Sequence, residues 1–208
     1  MNLKNIFAKI IKRLDEIDQD RENILKIARQ IVRECSVAIK SIHRQEFNIY
    51  DEKINEIKEN HDKLLKIIEK NPESFGGYKK TPEQEYMEAL CLYSIINEQE
   101  LPDPKKYNVS DVNFLLGLAD VIGELRRHVL DKIRSGDVDK LNDILKKMED
   151  IYTHLFSLDY PKGIIQELRR KTDVARGLIE KTRGEISLTM QMHQLKQHLK
   201  HEEEIKKK

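Results

Sequence analysis

Four acidic residues carry the first chemical suggestion in this chain of 208 residues. Glu85 and Glu88 are three apart in Gln84-Glu85-Tyr86-Met87-Glu88-Ala89, and Asp120 and Glu124 are four apart between Gly117 and Leu125. On a helix, both spacings put the two side chains on one face. Their neighbours are apolar: Ala89, Leu90 and Leu92 near the first pair, Leu116, Leu118, Ile122 and Leu125 near the second. If the two helices pack together, four carboxylates converge in an apolar setting, where protonation or a cation must relieve their repulsion. A ligand set made of carboxylate oxygen suits Mg2+ or Mn2+. A di-iron bundle would use Glu-x-x-His motifs, whereas Glu124 and His128 are four apart. Mg2+ or Mn2+ held in this way serves phosphoryl chemistry by activating water and screening negative charge. With 36% charged residues, such spacings also arise by chance. A solvated face for Glu85 and Glu88, and a local pair between Glu124 and Arg127 or His128, therefore stay open.

The elements that must position these acids read as helices throughout. Leu3, Ile6, Ile10, Leu14 and Ile17, then Ile24, Ala28, Ile31, Cys35, Ala38 and Ile42, step by threes and fours and predict one long helix over 3–47. The stripe lapses at Asp18 to Arg21, which predicts an exposed turn or a polar contact. A helix of this length needs a partner helix or subunit along it. A second helix is expected over 51–70, stopped by Asn71-Pro72. Residues 74–80, with Gly76 and Gly77, read as a loop. A third helix follows from Thr81, with Thr81 as cap, Pro82 at the first position and Gln84 completing a capping box, and ends before Pro102. Residues 101–107 form a second loop. Asn108 or Ser110 caps a fourth helix running to about Arg134. Ser135-Gly136-Asp137 reads as a left-handed stop plus the cap of a fifth helix to about Ser157. After a break at 159–163, a last helix begins near Ile164, and 193–208 read as a fraying polar tail. The expectation is a single all-α domain, a bundle of about six to seven long helices over 1–208.

Net charge is +1, so a globally basic nucleic-acid binder is not indicated, and any phosphate site must come from local clusters. Cys35 and Cys91, both in apolar helical patterns, read as buried free thiols rather than a disulfide or zinc framework. Neither a signal peptide nor an apolar run of transmembrane length is present, so the expectation is a cytoplasmic protein with no membrane partner.

Several blocks resemble translin-associated factor X (TRAX), of the translin family. Lys26 to Glu34 and Ile39 to Arg44 look like its first long helix, and Gln84 to Ala89 is nearly its acidic motif. Asp111 to Arg127 matches a further motif closely, Ser135 to Asp139 continues it, and Arg183-Gly184 resembles a late Arg-Gly in the last helix. The resemblance implies an all-α fold of about seven helices whose subunits close into a hollow octamer binding single-stranded RNA or DNA. Translin lacks these acids and binds, while its partner carries the ribonuclease activity. The catalytic acids of that partner fall on Glu85, Glu88 and Asp120, and a neighbouring family glutamate on Glu124. These four would hold Mg2+ or Mn2+. The short, Ile-, Lys- and Glu-rich chain lacks the animal partner's N-terminal extension and looks archaeal, so one chain is expected to form the whole shell as a homo-oligomer. Arg29, His43 and Arg44, which share one side of the first helix, and Arg127 match family positions and are expected to meet RNA phosphates. Lys79 and Lys80 are candidates beside the acidic helix, and either could be simple surface charge. Tyr86 either stacks a base or belongs to the core.

Overall fold

A computed structural model describes residues 2–206, without the side chains of residues 162, 166 and 206. The described residues are helical nearly throughout and include no strand: α1 (Leu3–His43), α2 (Phe47–Ile68), the single turn α3 (Pro72–Phe75), α4 (Lys80–Ile96), α5 (Asp111–Ser135), α6 (Leu141–Phe156) and α7 (Lys162–Lys206). The all-α expectation holds. The chain divides into two compact units, Met1–Gly117 and Leu118–Lys208, with the division inside α5.

In the first unit, α1 and α2 form a helical hairpin. The reversal needs only three residues, with Gln45 in the left-handed region (φ 60°) and the Glu46 N–H donating to the Ser41 carbonyl. Ile24, Ile31, Cys35, Ala38 and Ile42 of α1 are buried, as are Ile57, Leu64 and Ile68 of α2, so the threes-and-fours stripe faces the core from Ile24 onward and not over its first half. The helix is continuous through the lapse at 18–21, where Asp20 accepts from Lys70 at 2.9 Å, realising the polar contact. Leu3, Ile6, Phe7, Ile10, Ile11 and Leu14, before the lapse, are exposed.

The start of α4 departs from the expectation. Residues 72–79 are not an open loop but α3 followed by a 3-10 turn (Gly76–Lys79) that runs directly into Lys80. Because Lys79 already has helical backbone angles, no free helix end remains for Thr81 to cap, and Thr81 is exposed. Further on, Ser110 Oγ accepts from the Asn113 N–H and caps α5 as expected. From Tyr86 to Leu92 every residue of α4 is buried, the pattern of an enclosed helix rather than a surface one.

A buried polar knot ties α2, α4 and the start of α5. Glu83 is fully buried, with an oxygen 3.4 Å from His61 Nε2 and another accepting from Asn113 Nδ2 at 2.7 Å and the Ser110 N–H at 3.3 Å. Burial pushes the Glu83 carboxyl up, but the bonds from His61, Asn113 and Ser110 and the Lys79 charge outweigh it, and the net shift is downward. Breaking such a knot on one side leaves the other polar groups buried without a partner. Glu83→Ala is expected to cost about 3 kcal/mol of unfolding free energy, read from chemical denaturation, whereas Thr81→Ala is expected to change stability by less than about 0.5 kcal/mol.

In the second unit, Gly136 (φ 78°) ends α5 as read, while Asp137 does not cap α6. Its oxygens take the Asp139 N–H and Lys132, and α6 begins only after Lys140, itself left-handed (φ 60°). Leu141, Leu145, Met148, Ile151 and Leu155 of α6 are buried, as are Leu168, Ala175, Ile179 and Ile186 of α7. Arg126 of α5 makes a bidentate pair with Glu185 of α7 (2.7 and 2.8 Å) and also donates to Thr182 Oγ1 at 3.0 Å. α7 bends at Ile165, where φ is −127° and ψ 39°. Beyond residue 193 the side chains are nearly all exposed, as the polar tail implies, yet the backbone stays helical to Lys206. Residues 207 and 208 lie outside the described ones.

Candidate functional site

The first acidic pair lies on α4 as its spacing requires. Glu88 is buried at 8% exposure and Glu85 is half-buried, so neither belongs to a solvated face. A carboxylate enclosed in an apolar helix is costly unless hydrogen bonds or a cation compensate it. Its field reaches the two buried thiols. Burial and then the charges of Glu85, Glu88 and Glu34 push the Cys35 thiol well up, and burial with Glu88 pushes Cys91 up to about 12. Both cysteines are free, as expected. Glu34 is buried on α1, accepting from Gln30 at 2.6 Å and Asn60 at 3.1 Å. Sequence reading missed it, since nothing in the α1 stripe separates a buried glutamate from a surface one.

Tyr86, between the two acids, belongs to the core. It is 1% exposed, edge-on to Tyr107 at 5.8 Å, and its hydroxyl has no hydrogen-bond partner among the described residues. Burial therefore pushes the phenol up and rules out base stacking in this arrangement.

The backbone of α4 at these acids is approached closely by α5. A Cβ on Gly117 would lie 2.5 Å from the Gln84 carbonyl oxygen and 3.0 Å from both the Glu88 nitrogen and Met87 Cβ. Only a residue without a side chain allows this approach.

The second pair lies on α5, with Asp120 and Glu124 both half-buried. Glu124 is 3.5 Å from Arg127, so the local pair left open by the spacing is present. Asp120 has a partner that the sequence did not reveal. Lys171 Nζ of α7 reaches both its carboxylate oxygens, each at 2.5 Å. Asp120, Gly123, Arg170, Lys171, Ala175 and Leu178 line a groove of about 240 Å3 there. A larger groove of about 490 Å3, near Phe156 and Tyr160, contains none of the four acids.

The donor chemistry of both pairs, hard carboxylate oxygen in a partly dry setting, fits Mg2+ or Mn2+. Among the described residues, however, no three His, Cys, Asp or Glu side chains are gathered as a ready ligand set. Of the basic candidates, Arg29 and Arg44 are exposed, His43 and Lys80 are half-buried, and Arg127 is half exposed beside Glu124. Lys79 is 3.4 Å from Glu83, which gives it a structural partner.

The model of the translin family matches residues 19–205. The chain belongs to the translin family. This translin-family chain is 41% identical over 193 residues to an uncharacterized protein, MJ0175, of Methanocaldococcus jannaschii, covering 92% of this chain and 86% of that one. Its fold is similar to that of AfC3PO in a complex with duplex RNA, with a TM-score of 0.79 and 29% identity over 88% of this chain and 96% of that one. The crystal structure of AfC3PO alone gives 0.80 and 30% over the same shares. Apo-NeC3PO, at 23% identity and a TM-score of 0.79 over 90% of this chain and 97% of that one, shares the fold. Among the described residues no helix is long and apolar enough to cross a membrane.

Proposed function

We propose that this chain is a metal-dependent ribonuclease on the TRAX side of the translin family, with Glu85, Glu88 and Asp120 as ligands of Mg2+ or Mn2+ and Glu124 supporting them. The observation that carries this reading is the burial of the Glu85–Glu88 pair on an enclosed helix, where a solvated face was the plain alternative. When bound, the ion supplies Lewis acidity, making a water nucleophilic at neutral pH and screening the phosphate. The residues of the chain do the rest. Glu85 and Glu88 lie on a helix packed against α1 and closely approached by Gly117, which holds their backbone in place. Arg29, His43, Arg44, Lys80 and Arg127 supply phosphate contacts, and Lys79, engaged by Glu83, supplies the least.

RNA as ligand is supported by the similarity to AfC3PO, whose structure holds duplex RNA. Single-stranded RNA, with DNA a further ligand, is the substrate that the resemblance implies. Assembly of identical chains into a closed shell, an octamer in the family pattern, is supported by two apolar stripes at heptad spacing that are exposed in the single chain. These are Leu3, Phe7, Ile10 and Leu14 on α1, and Leu188, Met192, Leu195 and Leu199 on α7. A second reading, an RNA-binding shell without catalysis, is favoured by the lack of a gathered ligand set among the described residues.

One experiment separates them. Purified protein of measured native mass is incubated with end-labelled single-stranded and duplex RNA, with and without Mn2+, and both gel shift and cleavage are read. Cleavage of the single strand that requires Mn2+ supports the ribonuclease. A salt-sensitive shift with intact RNA under every metal condition replaces it by the binding shell, and a stable monomer removes the closed assembly.

A further inference from the structure

We propose that the exposed stripe at the start of α1 docks, antiparallel, on the exposed stripe at the end of α7 of a second copy of this chain. The inference rests on the closed-shell part of the reading above and deepens it by naming the two surfaces that join.

Along α1 the same helix meets two environments. Ile24, Ile31, Cys35, Ala38 and Ile42 are at most 1% exposed, whereas Leu3, Phe7, Ile10 and Leu14 are all exposed. The chain covers its own stripe from Ile24 onward and leaves the start bare. On α7, Leu188, Met192, Leu195 and Leu199 are likewise exposed, past the buried Ile186. Single exposed apolar residues are ordinary, but an unbroken row of them on one helical seam marks an interaction surface. Both rows step by four, three and four, the spacing of a coiled-coil seam.

Laid antiparallel, the two rows match residue for residue. Leu3 faces Leu199 of the second copy, Phe7 faces Leu195, Ile10 faces Met192 and Leu14 faces Leu188. The apolar row of α7 ends there, since the next seam position is Glu202. Charge then selects the partner and its direction. Between Leu3 and Leu14 stand Lys4, Lys9, Lys12 and Arg13 and no acid, so two α1 starts laid together would set these cations against their own copies. Between Leu188 and Leu199 the only lysine is Lys196, and Glu202, Glu203 and Glu204 follow. The antiparallel register puts these glutamates beside Lys4, at the positive end of the α1 dipole. The parallel register puts them beside Asp15, Glu16 and Asp18, where they are repelled.

The contact joins unlike surfaces, and each copy carries one of each. It can therefore be made reciprocally in a pair, or repeated from copy to copy until the rotation closes. An anionic lipid surface is the other partner that suits a basic amphipathic helix, but it would leave the α7 row bare. A second copy covers both rows at once.

The test uses the full chain, with native mass read by sedimentation over a range of concentrations and helical content by circular dichroism. The variants are Ile10→Glu, Met192→Lys and Leu195→Lys. I10E and M192K are each expected to weaken assembly at least about tenfold, because either one buries a charge in the apolar seam. Helical content should hold, since both side chains are exposed in the single chain. Mixing I10E protein with M192K protein, or combining the two changes in one chain, is expected to restore the native mass. I10E with L195K, opposite each other only in the parallel register, is not. Restoration by I10E/L195K in place of I10E/M192K overturns the antiparallel docking, and an M192K protein that assembles normally removes α7 as the partner. If both single variants assemble as the unaltered protein does, the seam falls while the closed shell stands. If the unaltered protein is a monomer, both fall, and its sedimentation with phosphatidylserine vesicles, lost in I10E, would give the α1 stripe to a membrane.

Discussion

Glu88→Gln and Asp120→Asn are each expected to lower RNA cleavage by at least about 10³-fold, the scale on which one preorganised electrostatic group acts in a dry site. RNA binding, read by gel shift, is expected to stay within a few-fold, because the phosphate contacts belong to other residues. The two variants should part company in stability. Glu88 is buried in an enclosed helix, and E88Q keeps its shape and its capacity to accept hydrogen bonds, so the unfolding free energy should change by less than about 0.5 kcal/mol. Asp120 holds Lys171, so D120N leaves a mostly buried ammonium without its partner and should lose roughly 1 kcal/mol. Glu124→Gln should cost less in cleavage, about 10- to 100-fold, as suits a supporting group. Activity lost together with stability in E88Q would point to a misfolded α4, and full activity in both variants would end the assignment of these acids to the reaction.

What the sequence revealed follows a physical division. Local features read well. The α1 stripe located the buried face from Ile24 onward, the Ser110 cap and the left-handed Gly136 marked the ends of α5, and the lapse at 18–21 marked a polar contact. The periodicity, the cap and the stop are each written in residues within one or two turns of each other, whereas the lapse showed only that a polar contact was due and not that Lys70, 50 residues on, would make it. The features that failed depend on partners far along the chain. Lys171 is 51 residues from Asp120, and Glu83 is 22 and 30 residues from His61 and Asn113. Glu83 is two positions from Glu85, on the other side of the helix, so an amphipathic reading assigns it to solvent. The Thr81 cap failed for a related reason. The capping box in the sequence is sound, but a 3-10 turn feeding into Lys80 leaves no helix end for it to finish. Spacing alone left the acidic pair on α4 undecided between a solvated face and a ligand set, and the burial of Glu88 removes the first of these.

Gly117 carries the second large effect. In the sequence it is one letter of a motif, and in the middle of a helix glycine is about 1 kcal/mol worse than alanine. Gly117→Ala should therefore stabilise α5 if nothing faced it. The structure predicts the opposite. The added Cβ would lie 2.5 Å from the Gln84 carbonyl oxygen and 3.0 Å from the Glu88 nitrogen, both backbone atoms that cannot turn aside as a flexible side chain could. α4 has to shift, and overpacking of this kind costs about 1–3 kcal/mol. At about 2–4 °C per kcal/mol for a chain of this size, G117A should lower the melting midpoint by roughly 5 °C, and Gly117→Val by more. The displaced segment is the one that bears Glu85 and Glu88, so cleavage should fall further than the folded fraction alone explains. Gly123→Ala supplies the control on the same helix. Its new Cβ meets only Leu178 Cδ1 at 3.9 Å, so helix propensity should prevail and the midpoint should hold or rise. A G117A protein as stable as G123A would show that α4 and α5 do not approach here, and with that the positioning of the α4 acids would have to be drawn again.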